Sequence, residues 1–170
     1  MGQIAVVSGH FVELIQGRLG DRLALISLPC PPLRVTARHH LATGLQVHPP
    51  AQISPDRTRR FLANLGLRLH GRITLRADMP IGGGAGSSTA TLVALARLAG
   101  WQGDPLDLAR ACLRAEGATD PLMLPQAERF LWASREGVVL DQMPPLPDFD
   151  ILGGFFGKPL RTEPKDLDFC

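Results

Sequence analysis

Residues 80–91 read PIGGGAGSSTAT, three consecutive glycines and a fourth two places on, running directly into a helix-like apolar segment, Ser87–Ala99, whose one charge is Arg97. This stretch constrains the chain more than any other. Glycine loses more backbone freedom on folding than any other residue, so a loop this rich in it implies close approach to the backbone. Bare amides at a helix N-terminus, with the dipole behind them, favour an anion, and phosphate is the usual one. A helix apolar nearly all round is one that the fold buries at its centre.

The rest of the sequence supplies a domain around that loop. The chain has 170 residues, 45% of them hydrophobic, enough for one domain with a real core. The formal net charge is +2 and the arginines are scattered, so no field selects nucleic acid or an anionic membrane as a partner. Cys30, Cys112 and Cys170 lie far apart, without the CxxC spacing of a zinc or redox motif. An odd cysteine count, no secretory signal and no membrane-length apolar run lead to the expectation of a cytoplasmic protein.

Strands are expected over Gln3–Ser8, Arg22–Leu28, Leu33–His40 and Thr43–His48, with PCPP separating the second from the third. Ser54 is a candidate N-cap for a helix running to about Leu65, with Pro55 at its first position. Leu67–Met79 alternates, placing Arg72, Thr74 and Arg76 on one face and Ile73, Leu75 and Ala77 on the other. Asp104-Pro105 opens a helix that ends near Gly117. Arg129–Ala133 and Val138–Leu140 form a hairpin pattern, and Phe149–Leu152 reads as a last strand. The fold class is α+β, two layers, a mixed and mostly antiparallel sheet with helices on one side.

Three nucleotide-binding patterns compete for the loop. A P-loop needs Gly-Lys-Ser/Thr at its end, but here Gly86 is followed by Ser87 and no lysine lies nearby. A dinucleotide fingerprint needs a third glycine where Ser87-Ser88-Thr89 stand. The third pattern, Pro-x-x-x-Gly-x-Gly-Ser-Ser-x-Ala, fits Pro80, Gly84, Gly86, Ser87, Ser88 and Ala90 in register. In it the chain resembles the GHMP kinases, whose phosphate loop commonly reads Pro-x-x-x-Gly-Leu-Gly-Ser-Ser-Ala-Ala. Ala85 and Thr89 are the departures.

The resemblance implies the N-terminal, ATP-binding domain of such a kinase, a ribosomal protein S5 domain 2-like fold, over residues 1–157. Residues 158–170 would then exit toward a C-terminal domain carrying a further glycine-rich motif. It implies ATP and Mg2+, with Pro80, Gly82, Gly83, Gly84, Ala85, Gly86, Ser87, Ser88 and Thr89 around the nucleotide. Ser88 is the metal-binding hydroxyl, while Ser87 reads as a helix cap. In RAEGATDPLM, Pro121 pushes Asp120 into extended backbone and Gly117 lets the chain leave its helix. Carried over, Asp120 is the catalytic candidate beside the acceptor hydroxyl and Glu116 the Mg2+ ligand, with Glu128 as the alternative.

GHFVELIQG and Thr119-Asp120 are similar to the branch containing the L-threonine kinases of cobalamin synthesis, often labelled propanediol utilisation proteins. Gly9, Glu13, Leu14, Ile15, Gln16 and Gly17 match that branch, whereas Val12 replaces a glycine and Gly117-Ala118 replaces the short Glu-Pro spacing. The substrate implied is an amino alcohol, with Glu13 and Gln16 as its contacts. His10, His39 and His40 show no ligand spacing and read as surface or strand residues. A missing second domain would leave apolar surface, suiting a homodimer or a partner that supplies it.

Overall fold

The computed structural model describes residues 2–48 and 53–155. The expected exit segment, 158–170, lies outside the described residues. Two long antiparallel strands, β1 (Ile4–Leu19) and β2 (Arg22–His40), form the spine of the sheet. The parallel pair β3 (Leu45–His48) and β4 (Gly71–Ala77) joins through β4, which pairs with the second half of β2. The hairpin β5 (Phe130–Ala133) and β6 (Val138–Gln142) joins through β5 at Ala24 and Leu25. The outcome is one six-stranded sheet, antiparallel except at β3–β4, as the composition and alternation led us to expect.

PCPP does not divide β2 into two strands. The pairing jumps from Ser8–Arg34 to Gly9–Cys30, so residues 31–33 have no partner on β1. Proline has no N–H to give the ladder, so the backbone stays extended while the pairing steps around it. The strand expected at Phe149–Leu152 does not form either; residues 143–155 run without regular structure. Pro144, Pro145 and Pro147 precede that segment, and they too remove ladder donors.

Three helices complete the fold. In α1 (Pro55–Ala63) the Ser54 side chain accepts from the Arg57 N–H, the cap that the sequence led us to expect. α3 (Pro105–Glu116) is capped by Asp104, which accepts from the Leu106 N–H, and it ends at Gly117. Between them and the sheet lies α2 (Ser87–Leu98), packed on β1, β2, α1 and α3. Leu92, Val93 and Leu95 are fully buried there, each burial contributing about 1.5–3 kcal/mol. That position explains an almost chargeless helix: solvent reaches only its Ser88 and Arg97 edge and its last turn. Among the described residues, no helix is long and apolar enough to cross a membrane.

Candidate active site

The glycine loop sits where β4 ends and α2 begins. Gly84 and Gly86 have φ values of +73° and +68°, a region that disfavours side chains bearing a Cβ. The N-cap position of α2 is Gly86, and no side chain caps the helix. Ser87, read from sequence as the cap, is instead the first helical residue; it is buried and its carbonyl accepts from the Thr91 hydroxyl at 2.8 Å. The reason is local. The cap position must take positive φ, and a Cβ there would lie 2.7 Å from His10 Cδ2 and 2.9 Å from Leu122 Cδ1.

β1 is stitched to this loop. The His10 N–H donates to the Ala85 carbonyl at 3.2 Å, and Gly9 has no room for a side chain against that same carbonyl. On the other side of the loop, Pro80 accepts from the Gly83 N–H at 3.2 Å. Phe155 lies against Gly83 and packs on Phe11, ring centroids 6.1 Å apart.

Two acids reach the loop from the end of α3. Glu116, in the last turn, accepts a short hydrogen bond from the Ser88 hydroxyl and a charged one from Arg57 at 3.3 Å. Burial pushes the Glu116 carboxyl above its ordinary range, more strongly than the Ser88 bond and the Arg57 charge pull it down, and Asp120 adds to the rise. Asp120 follows the Gly117 exit. Its position is fixed by three bonds: its N–H to the Thr89 hydroxyl at 3.3 Å, the Thr119 N–H to the Ser134 carbonyl at 2.9 Å, and the Trp132 indole to the Thr119 carbonyl at 2.6 Å. Thus Ser88, Thr89, Glu116 and Asp120, named separately from sequence, converge on the first turn of α2.

His10 is the residue that sequence reasoning missed. It does lie in a strand, but it is only 2% exposed, with its ring between two carboxylates. Nδ1 is 3.6 Å from Glu13 Oε1 and Nε2 is 3.5 Å from Asp120 Oδ2. Burial pulls the imidazolium pKa down, but the hydrogen-bonding position and charge of Asp120, with the charge of Glu13, outweigh it, so the pKa lies above its ordinary value. Residues three apart on a regular strand face opposite sides. Here β1 carries one extra residue between the pairs His10–Pro29 and Glu13–Ser27, a bulge that turns both side chains the same way.

The remaining candidates sit apart. Gln16 is exposed on β1 opposite Leu25, about 10 Å along the strand from Glu13. Glu128 is half-buried in a single helical turn, Ala127–Arg129, and among the described residues no hydrogen bond or ion pair ties it to the loop.

The arrangement can hold a phosphorylated ligand with a hard cation. The space beyond Gly84, where a Cβ would point, is open, and the α2 amides carry no side-chain cap. A hydroxyl and a carboxylate in contact, Ser88 and Glu116, are the oxygen donors that suit Mg2+.

The fold and loop define a domain with one mostly antiparallel sheet and a glycine-rich turn opening its central helix. Residues 56–123 match the family model described as GHMP kinases N terminal domain. Solved structures agree on the fold. Lactococcus lactis galactokinase complexed with galactose is 10% identical, with a TM-score of 0.53 over 84% of this chain and 47% of that one. A mevalonate diphosphate decarboxylase from Legionella pneumophila is 16% identical, with a TM-score of 0.50 over 89% of this chain and 56% of that one. The chain therefore spans about half the length of the solved proteins it resembles. No curated protein sequence matches it.

Proposed function

We propose that this chain is the ATP-binding part of a GHMP-type kinase that phosphorylates the hydroxyl of an amino alcohol, L-threonine being the favoured acceptor. The observation that carries the reading is the convergence of the uncapped glycine loop, the Ser88–Glu116 contact and Asp120 on one turn of α2. The choice of threonine rests on the sequence likeness of GHFVELIQG and Thr119-Asp120 alone.

On this reading the loop amides from Gly84 to Ser88 bind the phosphates, and the α2 dipole adds about 0.3–1 kcal/mol or more. Ser88 and Glu116 hold Mg2+, which when bound neutralises charge on the β- and γ-phosphates. Asp120 orients the acceptor hydroxyl and takes its proton as the new oxygen–phosphorus bond forms and ADP leaves with the bridging oxygen. Glu13 faces the substrate's ammonium. Residues 1–157 are the nucleotide-binding domain on this reading.

Purified protein, joined to any C-terminal domain that accompanies it, is expected to convert ATP and L-threonine to ADP and O-phosphothreonine. Serine, homoserine and ethanolamine are the comparison acceptors. Asp120→Ala is expected to lose nearly all turnover while Mg–ATP binding survives. Full turnover in that variant removes the assignment. A second reading, a nucleotide-binding domain that serves a partner without catalysis, draws on the chain's half length; it requires ATP binding with no transfer to any acceptor, so steady phosphorylation excludes it.

A further inference from the structure

The cluster around His10 has a property that nucleotide binding does not use. One nitrogen of His10, one oxygen of Glu13 and one of Asp120 all lie within 4.8 Å of one another. His10 is 98% buried by its 2% exposure, yet its Nδ1 has no hydrogen-bond partner. Glu13 and Asp120 are each 22% exposed, so the site is reachable from solvent on the carboxylate side only.

The spacing bears on two uses of this trio. A well-formed N–H···O bond is about 2.7–3.2 Å long, and the two nitrogen–oxygen separations here are 3.6 and 3.5 Å. Two ligands on a tetrahedral ion with bonds of about 2.0–2.1 Å stand about 3.4 Å apart. The two separations run to opposite nitrogens of one ring, so an ion takes one nitrogen with the carboxylate beside it, at a separation close to that of two ligands on one ion, and an oxygen of the other carboxylate lies within 4.8 Å. The buried ring is also held from behind, since the His10 N–H is bonded to Ala85 and the ring lies on Gly86.

We propose that in the substrate-free protein His10, Glu13 and Asp120 bind one divalent transition-metal ion of the Zn2+ type, at a site separate from the Ser88–Glu116 pair, and that on the function proposed above the ion competes with the acceptor for the two carboxylates. The imidazole selects such an ion over Mg2+, which takes oxygen ligands and gives up its water reluctantly. One imidazole nitrogen and the two carboxylates ligate, and the other nitrogen is oriented by whatever carboxylate oxygen remains beside it. Three protein ligands leave a fourth position for water. The proposal does not depend on kinase activity and is read by binding alone.

The test is a Zn2+ titration of chelator-stripped protein by calorimetry, with excess Mg2+ present throughout. One equivalent of Zn2+ is expected to bind, and the melting temperature is expected to rise with it. Glu13→Gln, a partly exposed and conservative change, is expected to weaken binding at least about tenfold. His10→Asn is expected to do the same and to abolish the visible absorption of the Co2+-loaded protein. His40→Ala with His70→Ala, both exposed positions, should leave the titration unchanged. No saturable binding overturns the proposal, as does undiminished binding in Glu13→Gln, or a loss seen only in the surface-histidine variant.

Discussion

Gly84 and Gly86 share a backbone conformation and differ in what surrounds them, so replacing each by alanine separates strain from collision. At either position, left-handed backbone costs an alanine about 1–2 kcal/mol. At Gly84 the new methyl would enter open space and nothing is added. At Gly86 it would stand 2.7 Å from His10 Cδ2, 2.9 Å from His10 Nε2 and 2.9 Å from Leu122 Cδ1. Those atoms belong to buried side chains, and overpacking of this kind adds about 1–3 kcal/mol. Gly86→Ala should therefore lower stability by about 2–5 kcal/mol and Gly84→Ala by about 1–2 kcal/mol, read from urea midpoints at unchanged slope. Ligand binding should rank them the other way relative to their stability cost. Gly84→Ala, still folded, places a methyl in the proposed phosphate site, and Mg–ATP affinity should fall at least about tenfold in calorimetry. Equal destabilisation of the two variants would refute the collision. Wild-type affinity in Gly84→Ala would refute the phosphate cradle.

Three further outcomes follow from buried groups. Trp132→Phe removes the indole bond to the Thr119 carbonyl; leaving that acceptor unpaired should cost about 1–3 kcal/mol in urea unfolding, and turnover should fall with it because the same bond fixes the Asp120 turn. Glu116 has a folded pKa above its ordinary value, so its favourable contribution is complete below that ordinary value and lost as pH rises through the folded one. In metal-free buffer Glu116→Gln should then melt higher than wild type at pH 7, with the gap closing toward pH 4, while Mg–ATP binding weakens. Burial, with the charges of Glu116 and Asp120 behind it, pushes the Cys112 thiol above its ordinary 9.0. Its contribution to stability is intact below about pH 9 and declines above it, so Cys112→Ala should flatten the alkaline limb of the stability curve, and the native thiol should resist alkylation until the protein unfolds.

The elements legible in the sequence were those set by local rules. Ser54 and Asp104 cap their helices because a short oxygen-bearing side chain reaches the first free amides. β4 alternates as read, with Ile73 and Leu75 inward and Arg72 and Arg76 outward. The chargeless α2 is central, as its composition required. Errors arose where prolines met long strands. PCPP is bypassed by a register step because β1 continues alongside it, whereas the prolines at 144, 145 and 147 precede a segment that makes no strand.

The sequence by itself determined the glycine-rich loop, the helix that follows it and the presence of acids at a helix exit, because glycine conformation, capping and periodicity act over a few residues. Only the tertiary structure decided which side chains meet. A one-residue bulge turned His10 toward the same side as Glu13, and the Trp132–Thr119 bond carried Asp120 to that ring from a region more than a hundred residues away. It also placed Gly86, not Ser87, at the cap, because the space a side chain would need is filled by His10 and Leu122. Register and packing are set by contacts between distant segments, and no local pattern along the chain records them.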